Sequence, residues 1–115
     1  MVLVVDDESD IRLAVTEVLS YEGYQVMSAC DGAEALMKAR AYHPALVLLD
    51  LMMPRMDGWE FRRVQQHDPE VSGIPVVVLS AMGPDSLEAD GYVGKPFDLD
   101  DLVSAVRRYA DRPVT

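Results

Sequence analysis

Two uninterrupted apolar runs, Val2-Leu3-Val4-Val5 and Leu46-Val47-Leu48-Leu49, end in acid: Asp6 and Asp7 close the first and Asp50 the second. A short run with no polar alternation marks a strand buried on both faces, which is the condition of a strand inside a parallel sheet. Such sheets bind ligands beyond the carboxyl ends of their strands. If both strands point the same way, their terminal acids converge on one pocket.

The elements between the runs support a parallel arrangement. Ile11, Leu13, Val15, Val18 and Leu19 recur at near-helical spacing over residues 9 to 22, with Ser9 or Glu8 at the start and Gly23 at the end. Tyr24 to Ala29 reads as a strand, and Ala33, Leu36, Met37 and Ala39 as a helix that stops before Pro44. Ala45 to Leu49 is the third strand. Asp57 is placed to cap a helix from Trp59 to about Gln66, and Asp57-Gly58 reads as structural. Ile74 to Leu79 and Gly91 to Gly94 are the fourth and fifth strands. Leu99, Leu102, Val103 and Val106 define a last helix, with Asp98 near its start and Arg107 and Arg108 near its end, as the helix dipole favours. Crossovers long enough to hold helices make parallel neighbours the default. The expected fold is α/β: one domain over residues 1 to 115, an open doubly wound five-stranded parallel sheet with helices on both faces, of the flavodoxin-like kind.

A chain of 115 residues, half of them hydrophobic, supports one core and is too short for two ordinary domains. No apolar stretch approaches the roughly 18 residues of a membrane span, and no secretory leader is visible at the start. One cysteine, Cys30, excludes an internal disulfide and reads as a buried thiol, which fits a reducing compartment such as the cytoplasm. Twenty acidic against ten basic residues give a formal charge of −10, which opposes direct contact with a nucleic-acid backbone.

Two unit charges about 4 Å apart repel by roughly 4 kcal/mol at an effective dielectric of 20, so three ionised carboxylates need protons or a cation. All-oxygen donors with no His or Cys nearby select a hard ion, Mg2+ in particular. An ionised Asp50 beside that ion can attack phosphorus and give an aspartyl phosphate. Two further strand ends supply a hydroxyl, Ser80, and an ammonium, Lys95. Taken alone, an Asp-Asp pair after a strand is more often a turn and capping device, Ser80 a backbone-bonded hydroxyl and Lys95 a solvated charge. Their joint placement at four strand ends favours the chemical reading.

The chain resembles the receiver domains of two-component response regulators, the chemotaxis-regulator-like family, across nearly its whole length. The matching segments are Val4-Val5-Asp6-Asp7-Glu8, Leu49-Asp50 through Asp57-Gly58, Leu79-Ser80-Ala81 and Tyr92-Val93-Gly94-Lys95-Pro96-Phe97. The resemblance implies that Asp50 is the phosphoacceptor, that Asp7 binds Mg2+ directly and Asp6 mainly through water, and that the Met52 main-chain carbonyl completes the protein's share of the shell. It implies that Ser80 and Lys95 grip the phosphoryl oxygens, with a cis Lys95-Pro96 peptide. It further implies a sensor histidine kinase or histidine phosphotransfer protein as donor, self-catalysed transfer and loss of the phosphoryl group, and a switch in which Ser80 and Tyr92 move to control an output domain or partner. Ile11 and Ala14 are either a donor-docking surface or ordinary packing. Met52 and Met82 either pack or shield the phosphate and slow its hydrolysis. His43 and His67 sit beside helix ends with no assigned role.

One departure stands out. Only 14 residues, Ala81 to Gly94, separate Ser80 from Lys95. The family carries roughly seven more, about two helical turns, so the helix it places between its fourth and fifth strands is expected to be short, distorted or absent. The shortened connection then either exposes the edge of the fourth or fifth strand or is replaced by a second subunit in a homodimer. Two alternatives remain beside the receiver reading: a degenerate receiver that binds partners without phosphorylation, and a phosphohydrolase of the haloacid dehalogenase type. The latter needs an aspartate two residues beyond the nucleophile, where this chain has Met52. A dinucleotide-binding domain is disfavoured because Asp-Asp-Glu, not a Gly-rich turn, follows the first strand. The sequence reads either as a single-domain regulator or as the receiver portion of a longer protein.

Overall fold

A computed structural model describes residues 1–82 and 87–110. Five strands and four helices follow one another among them: β1 Val2–Val5, α1 Ser9–Tyr21, β2 Val26–Ala29, α2 Gly32–Tyr42, β3 Leu46–Asp50, α3 Gly58–Gln66, β4 Val76–Ser80, β5 Gly91–Gly94 and α4 Leu99–Ala110. The strands form one parallel sheet in the order β2-β1-β3-β4-β5. This is the doubly wound sheet expected from the apolar runs.

The reason those runs lack polar alternation is visible in the core. Leu3, Val5, Val47, Leu49, Val76 and Val78 turn to one face, where they pack with Ala35, Leu36 and Ala39 of α2 and Phe61 of α3. Val2, Val4, Leu46, Leu48, Val77 and Leu79 turn to the other, against Val15 and Leu19 of α1 and Leu102 and Val106 of α4. Successive residues of a strand point to opposite faces, so a strand covered on both sides must be apolar at every position. β1, β3 and β4 are buried at every position.

Local chemistry sets the element ends. Asp31 and Asp57 cap α2 and α3, their side chains accepting from the Glu34 and Glu60 amides at 2.8 and 2.9 Å. Glu8 is the N-cap of α1, without a side-chain cap bond. His43 ends α2 in the left-handed region, φ 46°, and His67 caps the end of α3. Gly58 is required where α3 starts, because a Cβ there would lie 2.6 Å from the Asp50 carbonyl oxygen. The helix can therefore begin hard against the end of β3, with the Gly58 amide donating to Leu51 O at 2.9 Å.

Several expectations need correction. Tyr24 and Gln25 precede β2, and β4 begins at Val76 after Ile74-Pro75 and takes in Ser80. Leu13 is exposed rather than part of the α1 core, because Ile11, Val15, Val18 and Leu19 make one face and Leu13 lies about 200° from Ile11 around the helix. Cys30 is half-buried at the rim beyond β2, not a core thiol. The β4–β5 connection is short, as expected, and its described parts, 81–82 and 87–90, hold no helix. Of the residues available for a helix in that connection, 83–86 lie outside the described residues, as do 111–115. No described helix is long and apolar enough to cross a membrane.

Candidate functional site

The register of the sheet places the acids. Val5 pairs with Leu49 across β1 and β3, so Asp6 and Asp50, one residue further on, leave the sheet side by side. On the other flank of β3, Asp50 pairs with Leu79, and Ser80 pairs with Gly94. Four neighbouring strands thus deliver Asp6, Asp50, Ser80 and Lys95 to one rim. This rim lies where the strand order reverses between β1 and β3, at the carboxyl ends of the strands.

Asp6 is fully buried, and Asp50 and Ser80 are nearly so, at 7% and 3% exposure, while Asp7 and Glu8 are exposed. Lys95 joins the two buried acids: its Nζ donates to Asp6 Oδ2 at 2.8 Å and lies 3.4 Å from Asp50 Oδ1. The Leu51 amide donates to the same Asp50 oxygen at 2.9 Å. Burial, and then the negative charge of Asp6, push the Asp50 carboxyl up to about 6, against the opposing pull of the Lys95 ammonium. Burial works against the charge on Lys95, but its hydrogen bond to Asp6 and the charges of Asp6 and Asp50 prevail and raise its pKa. At neutral pH the rim therefore holds a mostly ionised Asp50 carboxylate beside a charged Lys95 ammonium.

The oxygens suit a hard divalent cation. Carboxylate oxygens of Asp6, Asp7 and Glu8 lie within 4.8 Å of one another, and the Lys95 ammonium occupies the position between Asp6 and Asp50 where positive charge is required. Glu8 was not among the expected ligands, although its place beside Asp6-Asp7 in one turn was a usable signal. Met52 is two residues beyond Asp50 with its side chain 66% exposed, and Met82 is likewise exposed.

Ser80 and Tyr92 are directly connected. The Ser80 carbonyl accepts from the Lys95 amide at 3.0 Å and from the Tyr92 hydroxyl at 2.7 Å, and the Ser80 hydroxyl accepts from the Met82 amide at 3.0 Å. The half-buried Tyr92 ring packs on the α2–α3 side of the core, the cluster that Leu87 and Ala89 of the short connection also cover. The Lys95-Pro96 peptide is cis.

Arg55 was not singled out in the sequence. In the loop after Asp50 it takes a left-handed φ of 64°, and its Nε donates to Asp31 Oδ2 at 2.6 Å. Asp31 is held below the usual carboxylate range by the Glu34 amide and, against its burial, by Arg55. The loop that carries Met52 is thereby tied to the cap of α2, a second tie being the Gly32 amide on Met56 O at 2.8 Å.

Comparison with known proteins agrees with this geometry. The response regulator receiver domain family model matches residues 2–107. A probable transcriptional regulator ycf27 from Porphyridium aerugineum is 42% identical over 113 residues, covering 92% of this chain and 46% of the relative. The DNA-binding response regulator MtrA of Mycobacterium leprae is 41% identical over 114 residues, covering 92% of this chain and 49% of the relative. The chain spans about half the length of the curated relatives it matches. Among solved structures, the chemotaxis response regulator CheY4 of Vibrio cholerae superposes with a TM-score of 0.86 at 32% identity, covering 94% of this chain and 96% of that one.

Proposed function

Because the chain belongs to the response regulator receiver domain family of two-component signalling, we propose that Asp50 is its phosphoacceptor and that the rim catalyses the transfer to itself. The observation that carries this reading is the Lys95 ammonium held between two buried carboxylates, 2.8 Å from Asp6 and 3.4 Å from Asp50. The donor is the phosphohistidine of a sensor kinase or of a histidine phosphotransfer protein.

The chain's residues perform distinct tasks. The Leu51 amide and Lys95 both engage Oδ1 of Asp50, which leaves Oδ2 as the attacking oxygen. A bond forms from that oxygen to phosphorus, the phosphorus–nitrogen bond of the donor breaks, and the imidazole, already protonated on its other ring nitrogen, keeps the electron pair and leaves neutral. Asp6, Asp7, the Asp50 carboxylate and the Met52 carbonyl would hold Mg2+, with Glu8 beside them. When bound, the ion offsets the negative charge that a phosphoryl group brings to an acidic rim. Lys95, already poised at Asp50, then pairs with a phosphoryl oxygen, and the Ser80 hydroxyl turns from the Met82 amide toward another. Since the Ser80 carbonyl also holds Tyr92, that turn is felt at β5 and in the packing of the aromatic ring. The result is a shift between two packings driven by charge.

The formal charge of −10 supports a domain that signals to an output partner and leaves contact with DNA to a more cationic surface, in keeping with a cytoplasmic regulator. The test is to add acetyl phosphate with Mg2+ and weigh the intact protein. A gain of one phosphoryl group in the native chain and none in Asp50→Asn supports the acceptor; equal gain in both overturns it. Repeated turnover of simple phosphomonoesters would favour a phosphohydrolase instead.

A further inference from the structure

The three clustered carboxylates lie in a turn that the sheet barely holds. The Asp6 amide still donates to Ala29 O at 3.1 Å, but Asp7 and Glu8 lie beyond β1 and before α1. One local bond bends the turn, from the Glu8 amide to Asp6 Oδ1 at 2.9 Å. Lys95 holds the Asp6 side chain at Oδ2, 2.8 Å away, and among the described residues the main chain of the turn is held further by one residue of α1. The Arg12 amide donates to Glu8 O at 3.0 Å, and its half-buried guanidinium reaches back to donate to the Asp6 carbonyl at 2.7 Å.

We propose that Arg12 is a positioning residue for the cation site: by gripping the Asp6 carbonyl it holds the Asp6-Asp7-Glu8 turn in the shape that brings the three carboxylates together. This rests on the reading of the rim as a Mg2+ site. The atom that Arg12 engages is what matters. A guanidinium bound to the carboxylates would compete with a metal for their oxygens, whereas one bound to the main-chain carbonyl occupies none of those oxygens itself while opposing the repulsion that would open the turn. It acts on the ligands as an outer-shell partner does, through their orientation.

The two effects of Arg12 have opposite signs, and this makes the role testable. Its positive charge alone disfavours a nearby cation, so removing that charge would tighten Mg2+ binding. Its hold on the turn favours the cation, so removing the hold would weaken binding. Calorimetric titration of the full chain with Mg2+ would compare the native protein with Arg12→Met, which keeps an apolar stem and loses every donor, and with Arg12→Lys and Arg12→Gln, which each keep a donor. Circular dichroism in chelator establishes that each variant is folded. The expected result is binding about tenfold weaker in Arg12→Met, with part of the loss recovered by Arg12→Lys. Binding as tight as native or tighter in Arg12→Met overturns the proposal. Should that variant fail to fold, the other two carry the test: affinity falling from Arg to Lys to Gln supports the role, and equal or rising affinity overturns it. A native chain that binds no Mg2+ would instead sink the functional reading on which the proposal rests, a distinct outcome.

Discussion

The Tyr92 hydroxyl donates to the main-chain carbonyl of Ser80 at 2.7 Å, so the aromatic residue of β5 is bonded to the backbone of the residue whose side chain faces the rim. Tyr92→Phe removes that bond and keeps the aromatic ring. A single neutral hydrogen bond contributes about 0.5–1.5 kcal/mol, and here the Ser80 carbonyl keeps the Lys95 amide as a partner. Urea unfolding is expected to show a loss at the low end of that range, with uptake of phosphate from acetyl phosphate unchanged in stoichiometry.

Lys95→Met leaves Asp6 buried without its ammonium. Breaking a buried pair by removing one member costs about 3–5 kcal/mol, and the 17% exposure of the Lys95 side chain points to the lower figure. Added Mg2+ is expected to recover stability more in this variant than in the native chain, because no ammonium then competes for the acids. Thermal melts with and without the ion would check both statements.

Asp50 gives a pH-dependent expectation in chelator. Its folded pKa is pushed up to about 6 from the ordinary 3.8, so the folded chain binds its proton more tightly than the unfolded one. The contribution to stability is fully present below the ordinary value and is lost as pH rises through about 6. Asp50→Asn carries no charge at any pH. It is expected to be more stable than the native chain at pH 7 by on the order of 3 kcal/mol, with most of the gain lost by about pH 4. Equal stability differences at the two pH values would contradict this.

Arg62 of α3 holds the short β4–β5 connection. Its side chain is 11% exposed and reaches Glu88 O at 3.2 Å, Gln65 Oε1 at 2.8 Å and Asp90 Oδ2 at 3.9 Å. Asp90 in turn accepts from the Val76 amide at 2.8 Å, and its carbonyl from the Tyr109 hydroxyl at 2.6 Å. Arg62→Met is expected to cost about 1–3 kcal/mol, chiefly by leaving the Oε1 of the buried Gln65 without this donor, and to speed amide hydrogen exchange at residues 87–90 while leaving phosphate uptake intact.

The strands and the four rim residues were legible because each depends on short stretches of chain. A doubly covered strand must be apolar throughout, and a parallel sheet brings strand ends together whatever else the chain does. What escaped depends on tertiary geometry. Arg12, Arg55 and Arg62 act through long side chains whose landing points, the Asp6 carbonyl, Asp31 and the Glu88 carbonyl, belong to other elements, and no spacing along the chain encodes those meetings. Leu13 was misplaced for a different reason: its neighbours carried a helical period to which it does not itself conform. Cys30 was misjudged because composition predicts burial for the residue type and is blind to a position just past the end of an edge strand.

Asp50 sits at the bottom of the rim, 7% exposed, between acids on one flank and Ser80 on the other. If Asp50 is the acceptor as proposed, a donor has only this small open area to reach, which favours a slender reagent, either a small acyl phosphate or a ring projecting from a convex scaffold, over a broad one.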